Sequence, residues 1–165
     1  MALKIVCDIG FENKDNTTII GVFPKKTYTT DSGFDICIPL RSKSIKILPK
    51  QFTTINTLVK FKLELPFYLK FLHWFGIGIH ANIQPKSGRS KNGLEVSLGE
   101  IDEDYRGYVG VTLYNRTNKA IILNAGEKIA QITFNIIFNR VQLVYNKFRS
   151  DETQRGEKGF GSTGI

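Results

Sequence analysis

The chain is poor in cysteine, methionine and tryptophan, with two, one and one in 165 residues. Cys7 and Cys37 belong to no Cys-x-x-Cys pair, so neither a disulfide framework nor a structural zinc site is expected. Free, buried thiols in an intracellular protein are the simpler expectation. No uncharged apolar run reaches the roughly 18 residues that a membrane-spanning helix needs. The opening Met1–Asp8 holds no apolar run long enough for a signal peptide, which points to a cytoplasmic or nuclear protein, not a secreted one. Histidine is confined to His73 and His80, and there is no His-Glu-x-x-His or Gly-x-Ser-x-Gly. Acidic residues also run short, 15 against 23 basic, for a net charge of +8. The basic residues are scattered; even the densest stretch, Arg41–Lys46, alternates as an exposed strand face would. A solvated basic surface is expected, not a nucleic-acid site.

What is present is period-two alternation. From Thr53 to Leu65 the odd positions Ile55, Val59, Phe61, Leu63 and Leu65 are apolar, and Leu58 is the exception among the even ones. Ile77, Ile79, Ala81 and Ile83 repeat the pattern, as do Val109, Val111 and Leu113. Shorter strands are expected over 3–8, 44–48, 120–123 and 128–136. Turn residues such as Pro49, Asn92-Gly93, Arg106-Gly107 and Ala125-Gly126 punctuate them. Many short strands in one chain of this length predict a single all-β barrel or sandwich with little helix.

Two segments break the alternation. Pro66–Gly76 would place Phe67, Tyr68, Phe71, Leu72 and Phe75 on one face of a short helix. A local plug over the barrel core is the favoured expectation, and a partner-facing patch is the alternative. The tail from Arg155 to Gly164 has four glycines in ten residues. It cannot hold a helix, yet it offers open amides, two hydroxyls, an Arg and a Lys to a phosphate, and Phe160 to a base.

The cluster Gly99–Gly107 puts four carboxylates into the five positions from Glu100 to Asp104, just before a well-patterned strand. Pro85–Ser90 supplies a hydroxyl and free amides at a turn, suited to phosphate. Together with Asp31–Ile36, Gly126–Gln131 and Arg155–Gly164, these make five segments in order. In that order they resemble the five motifs of the trimeric dUTPases. The region around 66–76 has no match in that pattern.

The resemblance implies a jelly-roll-like β-barrel of the dUTPase type over 1–149 and a flexible C-terminal arm over 150–165. It implies a homotrimer with shared active sites that cleaves dUTP to dUMP and pyrophosphate with Mg²⁺. Such an activity limits uracil entry into DNA and supplies dUMP for dTMP synthesis. Asp102 would be the base for water attack on the α-phosphorus, and Tyr105 would exclude a 2′-hydroxyl. Gly99, Glu100, Ile101 and Gly110 would line the uracil edge. Lys86, Ser87 and Gly88 would hold phosphate oxygens; Asp35 and Gln131 would hold the metal–triphosphate through water only, Gln131 also touching substrate. Arg155 would pair with the γ-phosphate and Phe160 would stack on uracil, while Gly161, Ser162 and Thr163 complete the cradle.

Three departures stand out. Lys86 replaces the usual arginine of its motif, and Arg89 is the candidate to supply the missing guanidinium. Arg89 and Ser90 themselves replace apolar and small residues. Glu100 replaces a commonly uncharged residue and is expected to face solvent. A dCTP deaminase, which shares the fold, would need a catalytic Glu that has no matching position here. A binding module that docks a protein partner through 66–76 is the reading from another class.

Overall fold

The computed structural model describes residues 5–65, 67–97 and 99–144. Strands β1 (Val6–Ile9), β2 (Phe11–Lys14), β3 (Thr17–Ile20), β4 (Phe34–Cys37), β5 (Ile45–Ile47), β6 (Phe52–Asn56) and β7 (Val59–Lys62) precede a 3₁₀ helix, Phe67–Phe75. After it come β8 (Ile77–Pro85), the short helix α1 (Ser87–Lys91), β9 (Leu94–Val96), β10 (Gly99–Ile101), β11 (Gly110–Asn115), β12 (Ile121–Leu123) and β13 (Lys128–Phe138). All described pairings are antiparallel: β10-β8-β13-β4, β6-β11-β9, β1-β7, β12-β5 and β2-β3. The all-β expectation is met. The arm expected over 150–165 lies outside the described residues.

The alternation works as the pleat requires. Ile79, Ala81 and Ile83 point into the core from β8, and Val111 and Leu113 from β11. They meet Ile36, Ile47, Leu63, Leu94, Leu123 and Ile132, all with essentially no exposed surface. Thr57 and Asn115 are the polar residues with no exposed surface among those described, and Asn115 is fully satisfied. Its Nδ2 donates to the carbonyls of Ile47 (3.0 Å) and Lys119 (2.8 Å), and its Oδ1 accepts from Thr117 N (3.0 Å) and Oγ1 (2.7 Å). One side chain thus ties the ends of two sheets and the loop before β12.

Two expectations are corrected. The span Thr53–Leu65 is two strands, not one. Leu58 takes φ of +55°, and its amide donates to Asn56 Oδ1 at 3.1 Å, so the chain turns between β6 and β7. β6 then pairs with β11 and β7 with β1, while Leu58 stays buried. The segment after Leu65 is helical but does not plug the barrel, for none of its nine residues is buried. Leu63 and Leu65 already close the core beneath it. Phe67, Phe71, Trp74 and Phe75 face outward, and only Tyr68, Leu69, Leu72 and His73 are half-buried.

Candidate active site

The strand β10, the turn after it and the start of β11 enclose a cavity of about 180 Å³. Gly99, Glu100, Ile101, Asp102, Tyr105 and Gly110 line it, with Ile83 and Val109 behind. Pairing of Gly99 with Ile83 and of Ile101 with Ala81 fixes β10 on β8, while Gly110 lies opposite Asn56. Asp102 follows the last pair and is exposed at the rim. Its carbonyl accepts the Tyr105 amide at 3.1 Å, which makes a tight turn. Arg106 braces that turn by donating to the carbonyls of Glu103 (2.7 Å) and Tyr105 (2.9 Å).

Tyr105 does not swing freely. Its hydroxyl donates to the Tyr108 carbonyl at 2.9 Å, and its ring lies over Gly107. Glu100 is exposed, as expected from the sequence. Glu103 turns away from the cavity. It accepts from Asn139 Nδ2 (3.1 Å) and pairs with His73 Nε2 (3.0 Å), which ties the 3₁₀ helix to the turn after β10.

A second group forms elsewhere on the sheet. Asp35 on β4 lies directly opposite Gln131 on β13, which lies opposite Gln84 on β8. Neighbouring positions on a strand face opposite ways, so Gln84 points away from the side that Ile83 gives to the cavity. Asp35 is only 7% exposed. Its Oδ1 accepts from Lys86 Nζ at 2.7 Å; its Oδ2 accepts from Lys128 Nζ at 2.7 Å and from Thr27 Oγ1 at 3.2 Å. Burial works to raise the Asp35 carboxyl, but the hydrogen bonds and charges of Lys128 and Lys86 prevail and hold it below its ordinary value. The same contact raises Lys128.

Lys86 stands at the N-cap of α1, where its carbonyl accepts from the amides of Arg89 (2.9 Å) and Ser90 (3.1 Å). The amides of Ser87 and Gly88 open the helix, where a backbone N–H has no acceptor within the helix. Space around Gly88 is free to at least 4 Å beyond a would-be β-carbon. Arg89 does not supply the guanidinium missing at Lys86. Its Nη2 pairs with Glu127 Oε2 and its Nε donates to the Lys128 carbonyl at 3.0 Å, so it clamps α1 to the start of β13.

Two clusters therefore exist within one chain: the hairpin cavity, and the Asp35–Lys86–Gln131 group with Ser87 and Gly88. Arg155, Phe160, Gly161, Ser162 and Thr163 fall outside the described residues. Lys128 and Thr27 are members of the second cluster that the sequence did not single out; a lysine three residues before Gln131 was the available signal. Among the described residues no group of three or more His, Cys, Asp or Glu gathers. One carboxylate beside one amide suits Mg²⁺ that is carried by phosphate oxygens and water, so the residues fit the ion.

The mostly β fold that carries this hairpin cavity and lysine–aspartate group matches that of solved dUTPases. The Staphylococcus bacteriophage 80alpha dUTPase with dUPNHPP superposes with a TM-score of 0.73 at 21% identity, covering 97% of this chain and 99% of that one. The dUTPase family model matches residues 21–164. The deoxyuridine 5'-triphosphate nucleotidohydrolase of Kluyveromyces lactis is 32% identical over 148 residues, 86% of this chain and 85% of that enzyme. The Variola virus enzyme of the same name is 40% identical over 90 residues, 52% of this chain and 57% of that enzyme. The chain belongs to the dUTPase family. Its activity is that of a dUTP diphosphatase, a hydrolase of nucleotide metabolism.

Proposed function

We propose that the chain hydrolyses dUTP to dUMP and pyrophosphate by attack of an Asp102-activated water on the α-phosphorus. The observation that carries this is the single cavity shared by Gly99, Glu100, Ile101, Asp102, Tyr105 and Gly110. A positioned general base contributes about 10²–10⁴-fold, and Asp102 stands at the rim where a water would enter. Backbone groups of Gly99–Ile101 and Gly110 would read the uracil edge, and the tight hairpin would exclude a thymine methyl. The Tyr105 ring, pinned through Tyr108, would lie against the deoxyribose and exclude a 2′-hydroxyl.

Lys86, Ser87 and the Gly88 amide bind phosphate oxygens. Asp35 and Gln131 hold the metal–triphosphate through water. The chemistry that bound Mg²⁺ supplies is neutralisation of the triphosphate charge. The hairpin cavity and the lysine–aspartate group are separate in one chain, which supports a homotrimer whose sites take residues from neighbouring copies. Arg155, Phe160, Gly161, Ser162 and Thr163 of the arm close over bound nucleotide, exclude bulk water and complete the phosphate cradle.

The test is pyrophosphate release with Mg²⁺ from dUTP beside dTTP, dCTP and UTP. Rapid release from dUTP alone is expected. Equal release from UTP would remove the role given to Tyr105. No release from any of them would overturn the mechanism. The outward aromatic face of Phe67, Phe71, Trp74 and Phe75 supports a second role, docking of a protein partner, compatible with catalysis. A pull-down with and without residues 66–76 tests it on trimer-competent protein.

A further inference from the structure

We propose that Lys86 is an exchangeable counter-ion: it neutralises Asp35 in the ligand-free protein and moves to the triphosphate when nucleotide and Mg²⁺ bind, while Lys128 stays. The inference rests on the function proposed above.

The two oxygens of Asp35 are served unequally. Oδ2 belongs to a closed set: Lys128 Nζ donates to it at 2.7 Å, Thr27 Oγ1 donates to it at 3.2 Å, and Lys128 Nζ also donates to Thr27 Oγ1 at 3.2 Å. Oδ1 receives Lys86 Nζ, at 2.7 Å. Departure of Lys86 would vacate one oxygen and leave the other set whole.

The backbones differ in the same sense. Lys128 sits within β13, opposite Cys37, with its carbonyl held by Arg89 at 3.0 Å. Lys86 sits at the joint between β8 and α1, outside the regular ladder that holds Lys128. An ammonium on a flexible stem makes point-charge bonds that can be traded, unlike the planar fork of arginine. Lysine in place of the family's arginine suits this use.

The exchange also explains why two partners must arrive together. A phosphate is an acceptor and so is Oδ1, so phosphate cannot replace the ammonium there. A buried carboxylate that loses a partner is costly to leave unmatched. A donor has to fill the position, and a water polarised by a divalent cation is such a donor. With Lys86 in place the cluster carries two ammoniums against one carboxylate, a net attraction for the incoming anion. After transfer, Asp35 and Lys128 balance.

The test is calorimetric binding of the non-hydrolysable dUTP analogue dUpNHpp to the full chain, in EDTA and in Mg²⁺. In EDTA, Asp35→Asn is expected to tighten binding about tenfold, within the coupling range of paired groups, because Lys86 is released. The gain is expected to vanish when Lys86→Met is already present. A gain that persists in the Lys86→Met background would mean that Asp35 acts only through general charge, and would overturn the exchange. No gain at all would overturn it too. Failure of the wild-type chain to bind the analogue under any condition would instead sink the functional reading, and the exchange with it. A second readout needs no Asp35 variant. In wild-type protein with ¹³C-labelled lysine, the Lys86 ε-methylene signal, assigned by its loss in Lys86→Met, should shift on adding dUpNHpp and Mg²⁺ while that of Lys128 holds. A stationary Lys86 signal on saturation would overturn the proposal.

Discussion

The ring of Tyr105 covers Gly107 so closely that a β-carbon at 107 would stand 2.4 Å from the phenol oxygen. Gly107→Ala must therefore lift the ring and break its bond to the Tyr108 carbonyl. The expected result is selective: the dUTP-to-UTP ratio of kcat/KM falls about tenfold, the worth of about 1.4 kcal/mol in the transition state. Thermal stability followed by circular dichroism should change little. An unchanged ratio would show that the ring does not police the sugar.

Asp102 is exposed and, among the described residues, braced only through its backbone, so its removal leaves the cavity standing. Asp102→Asn should lower kcat by about 10²–10⁴-fold and leave dUpNHpp affinity within a factor of about two. Stopped-flow proton release and calorimetry read the two quantities. Loss of binding in step with turnover would mean that the residue shapes the pocket instead.

Asn115 meets two carbonyls, an amide and a hydroxyl in the interior. Asn115→Leu would strand these groups, at a cost of about 2–4 kcal/mol. Urea unfolding followed by circular dichroism should show the loss, with turnover per folded molecule unchanged. A loss under about 0.5 kcal/mol would mean that water replaces the amide there.

Acid should weaken the fold through Asp35. Its folded carboxyl lies below the ordinary value of 3.8, so the unfolded chain binds more protons just below that pH. The stabilisation is whole above 3.8 and is lost as pH falls through the lower, folded value. Asp35→Asn should flatten the acid limb of stability against pH. Parallel limbs in the two proteins would deny the coupling.

The thiols should be quiet. Burial, with the charge of Asp8, pushes Cys7 up to about 11, and burial with Asp35 raises Cys37. Near neutral pH Cys7 therefore stays a thiol, the unreactive form. DTNB should react slowly with native protein and rapidly with both thiols in denaturant. Fast native reaction at Cys37 would contradict the packing around β4.

Legibility followed the range of the interaction. Ile79, Ala81, Ile83, Val111 and Leu113 were readable because burial on one sheet face writes period two into the sequence. The β2–β3 hairpin was not, since every residue of β2 is exposed and leaves no alternation. Its turn, Asp15-Asn16, sits at φ of +48° and +60°, and neither residue is a glycine. Leu58 showed as an irregularity, but its positive φ did not. In the site, the hairpin residues are contiguous and could be named together. Arg89 with Glu127, and Asp35 with Lys86 and Lys128, are brought together only by the pairing of β4, β13 and β8. The outward turn of Phe71 and Trp74 defied the usual reading of apolar residues, because Leu63 and Leu65 had already sealed the core.

Trp74 is the sole tryptophan of the chain, and it stands 81% exposed on the 3₁₀ helix, away from the core. Its emission should resemble that of indole in water even in the folded protein. Intrinsic fluorescence will then hardly register global unfolding, but will shift to the blue when something covers the helix. The chain carries a built-in optical reporter for its outer aromatic face.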